Sequence, residues 1–177
     1  MRAWPALLLS LALPQIAVAV ELVGKTMPPY PDGLREVGGA CLSDSTDAGH
    51  VCDYSIGLLA DASADRDDDP DADPDAEPVM RYVTAGRLAG RDGPLALWKV
   101  TDAQAYPKVA KGFFWQAGTC RVDKVGDAKV IAVVRQGLEQ EYLGDVAWAR
   151  RLDLKSGKFT AVDPARVDCI NEGYGEQ

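Results

Sequence analysis

Histidine and asparagine are almost absent from this 177-residue sequence, which contains one of each, His50 and Asn171. A Ser-His-Asp or Cys-His catalytic arrangement would have to use His50, which lies in a short polar segment between two cysteines. The sequence also lacks C-x-x-C, H-E-x-x-H, G-x-S-x-G and glycine-rich phosphate-binding motifs. We therefore expect His50 to be a solvated loop residue, and we predict no catalytic residues, no metal ligands and no cofactor.

Clusters of basic residues are missing as well, since no basic run is longer than the pair Arg150 and Arg151. The 27 acidic and 19 basic residues give a net charge of -8, which is the wrong sign for a nucleic-acid-binding surface. Nine of the acids fall between Asp61 and Glu77, and the rest of the chain is neutral. The acidity therefore belongs to one segment, and we expect no nucleic-acid partner.

Long apolar runs are missing after the first twenty residues. Residues 1–19 carry a positive charge at Arg2, an apolar run over residues 6–13, and small residues at Ala17 and Ala19. This pattern predicts a signal peptide cleaved after Ala19, because the apolar run is shorter than the roughly 20 residues of a membrane-spanning helix. We expect an exported mature chain without a transmembrane segment.

Four cysteines are present, and an even number in an exported chain predicts two disulfides. Of the three connectivities we favour Cys41 with Cys52 and Cys120 with Cys169, because the acidic segment separates these pairs along the chain. Zinc binding is disfavoured by the ligand spacing. Abundant alanine, glycine, aspartate and arginine are typical of a GC-rich bacterial genome, so we expect a periplasmic or extracellular protein.

The acidic segment, residues 61–78, has no large apolar residue and contains three prolines. Like-charge repulsion and proline both favour extended chain, so we predict a disordered loop that interrupts a single disulfide-stabilised domain over residues 20–177. Aspartates at every second position from Asp65 to Asp75 resemble part of a calcium loop, so weak cation binding is the alternative.

Short apolar runs separated by glycine, aspartate and proline indicate strands over most of the remaining sequence. The candidates are residues 54–59, 79–84, 95–101, 112–122, 129–135 and 146–154. We predict a mainly β fold with a small antiparallel β-sheet or meander, in which residues 129–135 form a central strand covered on both faces. Helical spacing over residues 138–152 leaves an α+β fold with one short helix as the alternative.

Turn-forming residues separate several of the predicted strands. Residues 124–127 are predicted to connect a hairpin, and Gly157 is available for the positive φ of a second hairpin, which returns antiparallel. The proline-rich residues 27–33 predict an irregular N-terminal arm.

Aromatic residues are concentrated at Phe113, Phe114 and Trp115, where an extended strand must direct successive side chains to opposite faces. Burial of both faces beneath the N-terminal arm is one interpretation. The other is an exposed protein-binding patch. The candidate binding residues for that patch are Phe114, Trp115, Trp148, Arg150 and Arg151.

These features favour a small non-enzymatic binding module that recognises a protein or a cell-envelope component, such as an inhibitor or an immunity-type protein. One alternative is a small hydrolase that uses paired carboxylates. Its candidate residues are Glu139, Glu141, Asp145 and Glu172. Another alternative is a structural envelope protein whose acidic segment binds cations weakly.

Overall fold

The computed structural model describes residues 21–62 and 78–175. The predicted signal peptide with Ala17 and Ala19 lies outside the described residues, as do residues 63–77 of the acidic segment. The strands are β1 (Thr26–Met27), β2 (Leu34–Leu42), β3 (Tyr54–Asp61), β4 (Met80–Asp92), β5 (Leu95–Ala105), β6 (Phe113–Ala117), β7 (Cys120–Val122), β8 (Val125–Gly126), β9 (Val130–Arg135), β10 (Tyr142–Leu143), β11 (Val146–Asp153), β12 (Lys158–Ala161) and β13 (Val167–Ile170). A short 3-10 helix, Pro164–Arg166, precedes β13.

The strands form three antiparallel sheets, which confirms the mainly β prediction. The N-terminal sheet has the order β1-β5-β4-β3-β2, the middle sheet β12-β11-β9-β6, and the C-terminal sheet β10-β13-β7-β8. One hydrophobic cluster joins side chains of the N-terminal and middle sheets, and a second joins the middle and C-terminal sheets. The three sheets are therefore stacked, with the middle sheet buried on both faces.

Strand β9 shows why the middle layer forms where it does. Its run from Val130 to Val134 is fully buried, with Ile131 in the first cluster and Val130, Ala132 and Val134 in the second. Because successive side chains point to opposite faces, an uninterrupted apolar run supplies both cores at once. The prediction of a central strand is confirmed, with β6 on one side of β9 and β11 on the other.

The N-terminal arm, residues 21–33, covers the outer face of the N-terminal sheet. Leu22 and Met27 are buried there against Leu59 and Val100. The arm is also tied by main-chain bonds, since the N–H of Gly24 donates to the carbonyl of Val100 over 2.8 Å. The arm is therefore docked before the first long strand, β2, and it is irregular apart from the short edge strand β1.

The predicted disulfide connectivity is confirmed for both bonds. Cys41 and Cys52 close a surface loop between β2 and β3, with a Cα–Cα distance of 5.3 Å. Cys120 and Cys169 are direct partners in the β7–β13 register, with a Cα–Cα distance of 3.9 Å. The second disulfide therefore ties the last strand to an internal one.

The two predicted hairpins have different outcomes. The β11–β12 hairpin is confirmed, with Gly157 at a φ of 70°. The connection predicted over residues 124–127 is wrong in position, because the turn residues are Asp123 and Lys124, at φ 51° and 67°. Both central residues of this tight turn adopt the left-handed conformation. Gly126 therefore lies outside the turn and is part of β8.

Candidate functional site: a groove along the edge of β6

A groove of about 1140 Å³ lies where the arm, the N-terminal sheet and the middle sheet meet. Its lining residues are Asp61 and members of four segments, which fall within residues 21–25, 31–34, 78–82 and 105–115. We call it the β6 groove. Five of its lining residues are half-buried aromatics, namely Tyr82, Tyr106, Phe113, Phe114 and Trp115. Aromatic side chains that remain partly accessible in a concave surface are the usual anchors for a bound ligand.

The groove runs along the edge of a strand. Phe113, Phe114 and Trp115 all line it, although successive side chains of a strand point to opposite faces. A surface that touches three consecutive residues must therefore follow the main chain of β6. This strand is the last in its sheet, and no described residue pairs with its outer edge.

The pairing register shows which main-chain groups of β6 face outwards. The N–H of Gln136 donates to the carbonyl of Gly112, so the hydrogen-bonded pairs with β9 fall at Gly112 and then at every second residue. Arg135, which lies opposite Phe113, donates its main-chain N–H to Asp145 on the other side. Phe113 and Trp115 therefore direct their carbonyls, and Trp115 its N–H, towards the groove.

The Trp115 side chain is held inside the molecule while its main chain faces the groove. The indole packs against the core cluster between the N-terminal and middle sheets, and a Cβ atom at Gly38 would lie 2.6 Å from its ring. Only glycine fits beneath the ring at this point of β2.

The charges of the groove differ between its walls. Lys108 and Lys111 lie on the wall that leads into β6, both are exposed, and neither has a partner elsewhere in the described chain. The sequence contains no acidic residue between Asp102 and Asp123, so this wall carries only positive charge. The opposite wall is mixed, and its Arg81 binds Asp61 with an Nε–Oδ1 distance of 2.5 Å.

The candidate binding residues are only partly brought together. Phe114 and Trp115 both line the groove, and they pack against different cores. Trp148 and the arginines after it are not part of the lining. The Nε of Arg150 donates to Gln104 over 3.0 Å, and Arg150 stacks 4.8 Å from the Trp148 ring.

Arg151 lies on the opposite face of β11 from Arg150, because neighbouring residues of a strand alternate. Its Nε is 2.8 Å from a carboxylate oxygen of Asp127. The five candidates therefore do not form one continuous patch, although a binding role for each of them stays a prediction. The structure adds Phe113, Lys108 and Lys111 to the groove residues.

The chain matches no family model, no curated protein and no solved structure. Its function therefore has to be inferred from its own geometry.

The polar groups that could support catalysis lie elsewhere. His50 is 55% exposed, and its Nδ1 lies 3.0 Å from an oxygen of Asp53. The Ser43 hydroxyl also donates to this carboxylate, over 3.4 Å. The hydroxyl is therefore bonded to the aspartate and not to the imidazole. This geometry differs from a Ser-His-Asp triad, in which the histidine lies between the other two residues.

The four carboxylates considered for a hydrolase are all exposed. Asp168 is the acid that is buried in the described part of the chain, and it is paired with Arg121 and Lys124. Within residues 21–62 and 78–175, no group of three or more potential ligands is placed to hold a metal ion. No helix in these same residues is long and apolar enough to span a bilayer.

Proposed function

We propose that this protein is an exported, non-enzymatic binding module that holds a segment of a partner polypeptide in the β6 groove. The observation that carries the proposal is an aromatic groove of about 1140 Å³ beside the outer edge of β6, with which no residue in the described part of the chain pairs. This volume exceeds the roughly 300–1,000 Å³ of common small-molecule sites. A chain segment fits such a groove better than a compact metabolite does.

Export is supported by two independent features of the chain. Two disulfides close within a β fold, as is typical of proteins that fold in an oxidising compartment. The signal peptide predicted over residues 1–19 would direct the chain there. The protein would thus meet its partner in the periplasm or the medium.

A protein partner is favoured over a glycan or lipid component of the envelope. The edge of β6 offers the Phe113 carbonyl and both main-chain groups of Trp115, which another polypeptide main chain can pair with in the pattern of a β-ladder. An inhibitor or an immunity-type protein would use the groove in this way, with the stacked sheets as a rigid support.

Capture of a partner by the mature protein with a carboxy-terminal tag tests the proposal. The aromatic ring of Phe113 lines the groove and lies beneath Arg135, 4.4 Å from its guanidinium. Tyr54 is a matched control, because it is also half-buried beneath an arginine but lies outside the groove lining. We expect Phe113→Ala to reduce capture about tenfold or more, as loss of an interface anchor does, and Tyr54→Ala to leave it unchanged. Equal capture by all three proteins would contradict a role for the groove.

A further inference from the structure

We infer that the segment held in the β6 groove is an extended, acidic stretch of a partner polypeptide, which adds to β6 as a further strand of the middle sheet. This inference rests on the proposed function and names the conformation and the charge of the ligand. Two independent observations carry it, the direction of the main-chain groups of β6 and the charge of its wall.

The outer edge of β6 has main-chain groups that can bond to an added strand. The register with β9 turns the Phe113 carbonyl and both main-chain groups of Trp115 outwards, and no described residue bonds to them. The Phe113 N–H is already used within the chain, since it donates to Ala110 over 3.4 Å. An incoming strand would therefore bond mainly to the Phe113 carbonyl and to Trp115, in the alternating pattern of a β-ladder.

The side chains of β6 would flank the incoming strand. Phe114 packs towards the C-terminal sheet and Trp115 towards the N-terminal sheet, so an aromatic ring lies on each side of the strand edge. Alternate side chains of the ligand would then meet one ring or the other. Apolar residues at alternate positions of the ligand fit this arrangement.

The charge of the wall selects acidic ligands. Lys108 and Lys111 lie five and two residues before Phe113, the first residue of β6. Both are exposed, and neither has an ion-pair partner among the residues described. Two unpaired lysines beside an edge attract carboxylates and repel cationic segments. The shared chemistry is that of an extended peptide that carries aspartate or glutamate.

A display library of random 12-residue peptides, selected on the full mature protein, provides the probe. The best selected peptides are then synthesised, and their affinities are measured by fluorescence anisotropy. We expect an excess of aspartate and glutamate in the selected pool. We also expect N-methylation of alternate main-chain nitrogens to weaken binding tenfold or more, while methylation of the intervening nitrogens changes it less than twofold.

Charge-reversal variants test the wall without removing any aromatic ring. The double variant Lys108→Glu with Lys111→Glu should weaken binding of the acidic peptides tenfold or more. The matched control is Lys99→Glu with Lys155→Glu, which makes the same change in net charge at two exposed lysines outside the groove lining. This control should weaken binding less than threefold. Hydrogen exchange at the Trp115 amide should slow when a peptide is bound.

The outcomes separate the inference from the proposed function. Peptides that depend on Phe113 but show no acidic excess, no sensitivity to N-methylation and no protection of the Trp115 amide would overturn the inference and leave the proposed function standing. A library that yields no peptide, or only peptides that bind the Phe113→Ala protein equally well, would overturn both. Selected peptides that bind in a compact or helical form would overturn the strand addition alone.

Discussion

The two disulfides of this chain lie in contrasting environments. Cys41 is exposed, and its bond to Cys52 closes a polar loop with a sequence separation of 11 residues. Cys120 and Cys169 are 2% and 0% exposed, and their bond spans a separation of 49 residues. The first bond shapes a surface loop between two strands that are already paired. The second fastens the last strand onto the core.

The ion pairs near the disulfides repeat this contrast. Asp168, next to Cys169, is 4% exposed and accepts bonds from Arg121 over 2.6 and 2.9 Å. The hydrogen bonds from Arg121 hold the pKa of the Asp168 carboxyl below its usual range, and Lys124 adds to this effect. In the N-terminal loop, His50 and Asp53 pair largely in solvent. The C-terminal end therefore depends on buried contacts, and the loop does not.

Removal of the buried disulfide is expected to have the largest effect on stability. In the loop-entropy model, a closed loop of this length contributes about 4 kcal/mol, and the cavity left by two buried sulfurs adds to the loss. The double variant Cys120→Ala with Cys169→Ala should therefore lower the free energy of unfolding by about 4 kcal/mol or more. Urea unfolding followed by tryptophan fluorescence measures it. A loss below about 2 kcal/mol would mean that the last strand is held mainly by its pairing.

Removal of the exposed disulfide should cost less. The same model gives about 3 kcal/mol for the shorter loop, and little cavity is left, because Cys41 is exposed and Cys52 half-buried. We expect the double variant Cys41→Ala with Cys52→Ala to lose about 2–3 kcal/mol in the same urea experiment. If this variant lost more free energy of unfolding than the variant without the buried disulfide, burial would not explain the difference between the two disulfides.

The buried ion pair should contribute least of the three, and in a pH-dependent way. Asp168→Asn should lower the free energy of unfolding by about 2 kcal/mol at pH 7, because charge-assisted bonds to Arg121 are weakened. Since the pKa of Asp168 is lowered by folding, this contribution is present above the ordinary carboxyl pKa of 3.8. It is lost as the pH falls below that value through the pKa of the folded state.

Asp145→Asn is the matched control for this variant. Asp145 binds Arg135 over 2.6 Å, but both side chains are more than half exposed. Asp145→Asn should lower the free energy of unfolding by no more than about 0.5 kcal/mol, as for other solvated ion pairs. Equal losses for the two aspartates across the pH range, measured by urea unfolding between pH 3 and 7, would remove the contrast between the two environments.

The parts of the fold that follow from short-range patterns were predictable from the sequence. The apolar run of β9 specifies a strand buried on both faces, and Gly157 marks the turn of the β11–β12 hairpin. Strand β2 was missed because Gly38 and Gly39 interrupt its alternation, and the register shift between Glu36 and Gly38 shows a bulge there. Only the ring of Trp115, which is distant in sequence, explains a glycine at position 38.

The candidate site was predictable in part. The aromatic run at residues 113–115 pointed to β6, but strand alternation separates Phe114 from Trp115 and Arg150 from Arg151. The groove itself brings together four distant segments, which no local pattern joins. A signal for Lys108 and Lys111 did exist, because no acidic residue lies between Asp102 and Asp123 in a chain that contains 27 acidic residues.

The docked arm also determines how the protein can be handled. Glu21 and Leu22 line the β6 groove, only a few residues after the predicted cleavage point at Ala19. An affinity tag fused to the mature amino terminus would begin at the rim of the groove and compete with any ligand. Tyr174, near the other end of the chain, is exposed and is not part of the groove lining. Fusions at that end leave the binding edge accessible.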